Sequence, residues 1–136
     1  MYLVQPIWNV SGPPDPPIDL QITPTSHDTV TLTFRSGFFN GASQTFVVEY
    51  QSQAGTQWVN GSSVFAGTEK NITLSTTIGG LDPETFYTFR CYGYNIYDKG
   101  DYADNVTVTT LEGRSIVNDS VLVCCLFFKC YSIGFK

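Results

Sequence analysis

Few residues in this chain have the types and spacing that catalysis requires. The single histidine, His27, precedes Asp28, and a carboxylate beside an imidazole can orient it as a general base. No motif ties a Ser or Cys nucleophile to this pair, and both residues fall in a predicted turn between two strands. We therefore interpret His27 and Asp28 as solvated turn residues, and we predict that the chain is not an enzyme.

The sequence gives equally little indication of metal or cofactor chemistry. The segment YDKGDYAD contains Asp98, Asp101 and Asp104, but their spacing matches no calcium-binding loop. The sequence has no Gly-rich phosphate-binding loop and no cluster of residues at metal-ligand spacing. We predict no cofactor and no metal, and we interpret the three aspartates as polar loop residues.

Length and charge limit the remaining classes. The chain has 136 residues, enough for one domain with its own core, and a formal net charge of -5. Its seven Lys and Arg residues are scattered singly, so no basic stripe could follow a phosphate backbone. We predict no nucleic-acid partner.

The cysteines are placed unevenly. Cys124, Cys125 and Cys130 lie in the last thirteen residues, so the regular part of the chain holds no disulfide framework. Cys91 alternates with large apolar residues in a predicted strand. We predict that it faces the core as a small, inert hydrophobe, because a reactive thiol needs exposure and a lowered pKa.

Asparagine-linked glycosylation sites indicate the compartment. Five Asn-x-Ser/Thr sequences without Pro predict passage through the secretory pathway, and hence a secreted protein or the extracellular side of the plasma membrane. The site at Asn118 is the weakest, since an apolar run follows it. Asn71 and Asn105 are predicted to point outward from their strands. The predicted glycosylation sites are Asn9, Asn60, Asn71 and Asn105.

The two ends differ from the regular part. Residues 1–11 lack the features of a signal peptide, so we interpret them as the remnant of a leader or of a preceding module, in a fragment or an incomplete gene model. Residues 112–136 form a hydrophobic, Cys-containing tail, interrupted by Lys129 and shorter than the roughly 20 residues that span a bilayer. This tail is either a truncated membrane-associated segment with acylatable cysteines or sequence from an alternative exon. We expect it to lie outside the domain.

The segment between the two ends is predicted to be all-β. Short runs rich in Thr, Val, Ile, Phe and Tyr alternate with Gly, Pro, Asn, Asp and Ser clusters, which predicts seven short strands in a two-sheet antiparallel sandwich. One short strand is placed around Trp58, and residues 60–68 are predicted to be flexible. The residues predicted to face the core are Ile18, Leu20, Ile22, Val30, Leu32, Phe34, Phe46, Val48, Tyr50, Ile72, Leu74, Ile78, Tyr87, Phe89, Cys91, Gly93, Val106 and Val108.

The segment LDPETFY has the spacing L-x-P-x-T-x-Y just as a strand begins. We expect Leu81 to close the end of the core, Pro83 to stiffen the turn between sheets, and Tyr87 to bury its ring while its hydroxyl bonds an upstream backbone group. This arrangement is the tyrosine corner of sandwich domains. Together with the strand that follows, it resembles the fibronectin type III family.

The resemblance covers residues 13–110. PPDPPIDLQI is similar to the family's Pro-rich first strand, TFVVEY to the third, YTFRCYGYN to the sixth and YADNVTVTT to the last. It implies a seven-stranded immunoglobulin-like sandwich over residues 12–111. Phe34, Cys91 and Gly93 replace the usual Trp, Val and Ala, and all three are expected to be size-compatible with the core. The loop SGFFNGASQTF is most similar to modules of nephrin-like and related immunoglobulin-superfamily adhesion receptors.

The resemblance also implies a non-catalytic extracellular role. The leading hypothesis is an interaction module of a cell-surface adhesion or receptor protein, with protein partners at the cell surface or in the matrix and with immunoglobulin-like or fibronectin neighbours in a longer chain. The alternative is a structural spacer without a ligand of its own. In some family members the loop before the last strand carries an integrin signal, so Lys99, Gly100 and Asp101 form a candidate integrin motif in that connection.

A candidate partner face lies on the outward side of the sixth strand and of its neighbour. Aromatic residues and Arg on an exposed sheet suit protein contacts, although they also stabilise sheets through cross-strand pairs. A glycan on Asn105 would project near this face. The face is predicted from Val47, Glu49, Phe86, Arg90, Tyr92 and Tyr94.

Overall fold

Eight strands between residues 18 and 109 form two antiparallel sheets. The computed structural model describes residues 11–113 and, for the backbone alone, residues 126–127 and 129–130. The strands are β1 (Ile18–Thr25), β2 (Val30–Arg35), β3 (Gln44–Ser52), β4 (Val59–Gly67), β5 (Thr73–Ile78), β6 (Phe86–Tyr94), β7 (Lys99–Tyr102), β8 (Val106–Thr109), β9 (Leu126–Phe127) and β10 (Lys129–Cys130).

The first sheet has the order β1-β2-β5, and the second has the order β4-β3-β6-β7 with β8 also paired to β6. The short β9 and β10 pair only with each other. This arrangement confirms the predicted all-β sandwich.

The strand count exceeds the prediction because the connection predicted before the last strand contains an additional strand, β7. β7 pairs with β6 at Tyr92 and Tyr94, while β8 pairs with the other end of β6, from Phe86 to Phe89. Tyr94 lies opposite Lys99 and Tyr92 opposite Tyr102, so β7 carries an extra residue and the ladder is bulged. Beyond this bulge, residues 103–105 leave the strand conformation before β8 begins.

The prediction for β4 was wrong, because a short strand was expected around Trp58 with a flexible segment after it. Residues 60–68 were expected to be flexible, yet Val59–Gly67 is a continuous strand paired with β3 from Gln44 to Tyr50. Gly and Ser have low strand propensity, but the ladder to β3 supplies the hydrogen bonds that override it. A Cβ at Gly61 would lie 2.6 Å from Cδ1 of Ile78, so any larger residue at this position would force the Ile78 side chain to shift.

The predicted alternation of inward and outward side chains along β1 fails at its first residue, Ile18. Ile18 was predicted to face the core, but its side chain is 41% exposed. Asp19 has a φ of 56°, and the β1–β2 register shifts between Ile18 and Gln21, which marks a bulge. The extra residue turns Ile18 to solvent, whereas Leu20 and Ile22 pack against the core.

The core lies between the two sheets and agrees with the predicted alternation. The Phe34 side chain is buried, and its ring meets that of Phe46 edge to face at a centroid distance of 5.3 Å. Each such buried side chain contributes about 1.5–3 kcal/mol relative to exposure. The buried core residues are Val30, Leu32, Phe34, Phe46, Val48, Ala66, Ile78, Leu81, Tyr87, Phe89 and Cys91.

Candidate functional site

The connection from β5 to β6 brings Leu81, Pro83 and Tyr87 together. Leu81 and Tyr87 are both 4% exposed, and Pro83 stays at the surface. The Tyr87 hydroxyl accepts a hydrogen bond of 2.9 Å from the backbone N–H of Asp82. The Tyr87 ring lies 5.8 Å from that of Tyr50. This contact ties the chain segment that crosses between the sheets to the first residues of β6.

The outer face of the second sheet carries all the predicted partner-face residues. Alternation along β6 places Phe86, Arg90, Tyr92 and Tyr94 on the side away from the core, since the residues between them are buried. The β3–β6 register sets Glu49 opposite Arg90 and Val47 opposite Tyr92. The ladder therefore brings these six residues onto one surface.

Arg90 lies at the centre of this surface and is held from three sides. Its Nε donates a 2.7 Å hydrogen bond to Oε1 of Glu49. Its guanidinium carbon lies 3.9 Å from the ring centroid of Trp58 and 4.0 Å from that of Tyr102. A planar cation between two aromatic faces gains attraction from both rings and is shielded from water.

Lys99 of β7 extends the same arrangement. Its Nζ lies 4.5 Å from the ring centroids of both Tyr92 and Tyr102, and it donates a 2.7 Å hydrogen bond to the Tyr102 hydroxyl. That hydroxyl in turn donates to Glu49 at 3.0 Å. The bond to Tyr102 raises the pKa of Lys99, while burial and then the Glu49 charge raise the pKa of Tyr92. We name this group the cation–aromatic stack: Trp58, Arg90, Tyr102, Lys99, Tyr92 and Glu49.

The stack includes residues that sequence reasoning did not assign to the face. The sequence predicts a loop over residues 99–104, and strand alternation cannot place Lys99 and Tyr102 on a face from within a loop. Trp58 immediately precedes β4, and the sequence predicts only a short strand around it, with no orientation for its side chain. The stack covers most of Glu49 and Arg90, and Val47 is only 9% exposed, so the middle of the predicted partner face offers little apolar surface to a partner.

Exposed apolar side chains gather instead at one end of the sheet. Phe65 of β4 is 71% exposed, and Tyr94 of β6 is 43% exposed. Both pair with Thr45 of β3, so they flank it in one cross-strand row. Ile96 and Tyr97 follow in the turn before β7, and Ile96 is 83% exposed. We name Phe65, Tyr94, Ile96 and Tyr97 the exposed apolar end; only Tyr94 was predicted from the sequence.

A single buried side chain shapes the turn that carries Ile96 and Tyr97. Asn95 closes the turn with a bond from its N–H to the carbonyl of Asp98. Its Oδ1 accepts from the N–H groups of Tyr97 and Asp98, and its Nδ2 donates to the carbonyls of Gly12 and Phe39. The turn is thereby fixed to two other segments and holds its apolar tips in place.

The candidate integrin motif lies in a strand, which corrects the prediction of a loop. Lys99, Gly100 and Asp101 belong to β7. Gly100 packs against the Pro-rich N-terminal segment so closely that a Cβ would lie 2.3 Å from the carbonyl oxygen of Pro14. Asp101 is exposed, but Lys99 is engaged in the stack. The three residues are therefore not presented at a loop apex.

The residues considered for catalysis lie apart from this face. His27 Nε2 is 3.6 Å from Oδ2 of Asp28, and both side chains are about half exposed in the β1–β2 turn. Cys91 is fully buried, and burial raises the pKa of its thiol to about 12. Residues 11–113 contain no group of three or more His, Cys, Asp or Glu side chains that could hold a metal ion. No helix in the described part of the chain has the length and apolarity needed to cross a bilayer.

Three predicted glycosylation sites can be placed. Asn60, Asn71 and Asn105 are all exposed. Asn60 lies in β4, whereas Asn71 and Asn105 precede β5 and β8 rather than lying within them, which corrects the strand positions assumed for both. The Asn71 side chain accepts a hydrogen bond from Arg35. Asn9 and Asn118 lie outside the described residues.

The predicted leader and tail fall almost wholly outside the described part of the chain. Residue 11, residues 112–113 and the β9–β10 backbone pair are the exceptions. Cys124 and Cys125 are thus not placed.

Comparison with known proteins gives a consistent family match. The family model described as "Fibronectin type III domain" matches residues 15–109. Human receptor-type tyrosine-protein phosphatase F is 35% identical over 104 residues, and its mouse counterpart is 33% identical over 103. Each match covers 76% of this chain, and the chain spans about 5% of the length of these curated relatives.

Solved structures agree on the fold. The FN1-FN3 domains of chicken CNTN1 match with a TM-score of 0.62 at 21% identity, over 81% of this chain and 36% of that one. The FN5 domain of Drosophila Lar matches with a TM-score of 0.56 at 17% identity, over 74% of this chain and 99% of that domain. Taken with the paired sheets and the family match over residues 15–109, these likenesses show that the chain belongs to the fibronectin type III family.

Proposed function

We propose that the chain is a non-catalytic interaction module of a cell-surface adhesion or receptor protein, and that it binds a protein partner through the exposed apolar end. The observation that carries this proposal is the group Phe65, Tyr94, Ile96 and Tyr97, which are 43% to 83% exposed and held by a paired sheet and a fixed turn. Large apolar side chains grouped at a rigid surface suit protein recognition.

The cation–aromatic stack supports the rigidity that this proposal needs. Arg90 and Glu49 join β6 to β3, and Tyr102 joins both to β7. An interface that is ordered before binding loses less conformational entropy when the partner arrives. Phe86, at the far end of β6, is also exposed and marks the opposite limit of the face.

The extracellular location rests on two further observations. The similar human and mouse proteins are receptor-type phosphatases, and Asn60, Asn71 and Asn105 are exposed acceptor sites. We propose a module over residues 12–111 that stands beside other immunoglobulin-like or fibronectin modules in a longer chain, with partners at the cell surface or in the matrix.

Binding of the protein to cells tests the proposal. The full 136-residue chain, made in bacteria without glycans and assembled into fluorescent tetramers, is added to adherent human cells before and after trypsin treatment. We expect trypsin-sensitive binding that falls at least tenfold in Phe65→Ser and Tyr94→Ser. Ile18→Ser is the matched control, because Ile18 is an apolar residue on the first sheet whose 41% exposure is close to the 43% of Tyr94.

The outcomes separate the hypotheses. Equal binding by Phe65→Ser, Tyr94→Ser and Ile18→Ser would contradict an interaction through the exposed apolar end. Absence of any trypsin-sensitive binding would favour the spacer. Loss of binding in Asp101→Glu alone would instead favour the integrin hypothesis. The position of Lys99 within β7 makes that outcome the less expected one.

A further inference from the structure

A groove of about 420 Å³ opens on the outer face of the second sheet, beside the exposed apolar end. Val47 forms its floor, Tyr92 and Tyr94 form one wall, and β4 forms the other from residue 60 to residue 63. The ladder explains the shape, because Ser63 and Val47 pair with each other and Val47 pairs with Tyr92. The small residues of β4 lie beside the large rings of Tyr92 and Tyr94, and this difference in size leaves the groove.

Asn60 stands at the edge of this groove within the acceptor sequence Asn60-Gly61-Ser62. It lies opposite Glu49, whose side chain belongs to the outer face, so Asn60 also points outward. Gly61 is turned to the core, where a Cβ would meet Ile78 and Tyr50. Asn60 is exposed and its amide makes no hydrogen bond to the described residues, so its nitrogen is free to carry a sugar.

The lining of the groove suits a sugar better than a fatty or charged ligand. One face of a pyranose ring consists of C–H groups, which complement the electron-rich face of a tyrosine ring. The hydroxyls at the ring edge need polar partners, and Ser63 is exposed on the opposite wall. The volume is near the lower limit of small-ligand sites, which suits one or two rings.

We propose that the first sugar residues of an N-linked glycan on Asn60 lie in this groove, against Tyr92 and Tyr94. The inference rests on the proposed extracellular location, because only the secretory pathway attaches such glycans. A weak stacking contact suffices here, since covalent attachment at the groove edge gives the sugar a millimolar or higher effective concentration. Tyr94 is shared with the exposed apolar end, so occupancy of Asn60 limits how much of that end a partner can reach.

Nuclear magnetic resonance of the glycoprotein tests the proposal directly. The full chain is secreted from human cells fed with carbon-13-labelled N-acetylglucosamine, and glycopeptide mass spectrometry gives the occupancy of Asn60 and Asn105. Protons held over an aromatic face are shifted upfield by the ring current. We expect this upfield shift for the sugar on Asn60 and not for the sugar on Asn105, which serves as the internal control.

Two variants assign the shift to the groove. Tyr94→Phe retains the ring and should retain the upfield shift, whereas Tyr94→Ser should reduce it. An occupied Asn60 whose sugar resonates like that on Asn105 would overturn the proposal. An unoccupied Asn60 beside an occupied Asn105 would also overturn it and leave the proposed partner binding intact, because that binding is measured on glycan-free protein.

Discussion

The surroundings of Gly93 show how tightly the core is packed. It lies on the inner side of β6, and a Cβ at this position would come within 2.9 Å of Cε1 and 3.2 Å of Cδ1 of Phe46. The Phe46 ring is fully buried and packed against Phe34, so it has little room to move. Gly93, which stands where the family usually has Ala, therefore occupies a space that would not accept a Cβ unless the Phe46 ring shifted.

We predict that Gly93→Ala lowers the free energy of unfolding by about 1–3 kcal/mol, the usual cost of overpacking a core. Urea titration at equilibrium measures the change. Gly79→Ala is the control, because its Cβ would meet only Thr29 at the ordinary contact distance of 3.8 Å. Equal losses in the two variants would show that the Phe46 contact is not the cause.

Cys91 provides a pH-dependent prediction. Burial raises its pKa from 9.0 to about 12 in the folded state. Between these values the unfolded chain binds fewer protons than the folded one, so stability falls as pH rises, by up to about 1.4 kcal/mol per pH unit. The stability contributed by the protonated thiol is complete below pH 9.0 and is lost by about pH 12.

Unfolding measurements at a series of pH values check this. With Cys124, Cys125 and Cys130 replaced by Ser, the free energy of unfolding should fall more steeply above pH 9 than in the same protein with Cys91→Val. Parallel curves for the two proteins would contradict the raised pKa.

At the scale of the elements, the cation–aromatic stack joins three strands and the segment before a fourth. Arg90 makes two ring contacts and one charged hydrogen bond, and only a planar guanidinium can make all three together. We predict that Arg90→Lys lowers the free energy of unfolding by about 1–2 kcal/mol, since cation–π contacts contribute about 0.5–1 kcal/mol each and more when shielded.

Arg35→Lys provides the control for this substitution. Arg35 pairs with Asp19 at 2.7 Å, but on the open surface of the first sheet and without flanking aromatic rings among the described residues. Its replacement should change the free energy of unfolding by less than about 0.5 kcal/mol. If both variants lost the same amount in parallel urea titrations, the ring contacts of Arg90 would contribute nothing.

The elements also show where sequence reasoning succeeds. Strands that alternate large apolar with polar residues, such as β2 and β6, are predictable because one face must be buried. β4 is not, because its Gly and Ser residues carry no alternation and its strand conformation depends on the ladder to β3. The bulge at Asp19 depends likewise on long-range register, so the exposure of Ile18 could not be foreseen.

The candidate site was predictable only in part for the same reason. The outward residues of β6 follow from its alternation, and Arg90 and Tyr94 were found in this way. That Arg90 is enclosed by Trp58 and Tyr102 depends on how β7 and the segment before β4 fold over the sheet. The high exposure of Phe65 and the low exposure of Val47, Glu49 and Arg90 follow from the same packing.

At the scale of the whole molecule, the β5–β6 segment is one of three connections that cross between the two sheets, and Tyr87 fastens it to the first residues of β6. The Tyr87 hydroxyl accepts the Asp82 N–H at 2.9 Å, and its ring packs among core side chains of both sheets. Backbone bonds from Leu81 to Asp28 and from Thr110 to Thr85 hold the same end of the sandwich. The hydroxyl should therefore stabilise the entire fold rather than one strand.

We predict that Tyr87→Phe lowers the free energy of unfolding by about 1 kcal/mol, the usual net value of one hydrogen bond, while leaving the cooperativity of unfolding unchanged. Tyr50→Phe is a matched control, because its ring contacts those of Tyr87 and Phe89 while its hydroxyl bonds to none of the described residues. Urea unfolding followed by fluorescence and by circular dichroism reports both sheets. Coincident transitions, with a lower midpoint in Tyr87→Phe than in Tyr50→Phe, would assign the difference to the Asp82 bond; equal midpoints would show that the ring, and not the hydroxyl, secures the connection.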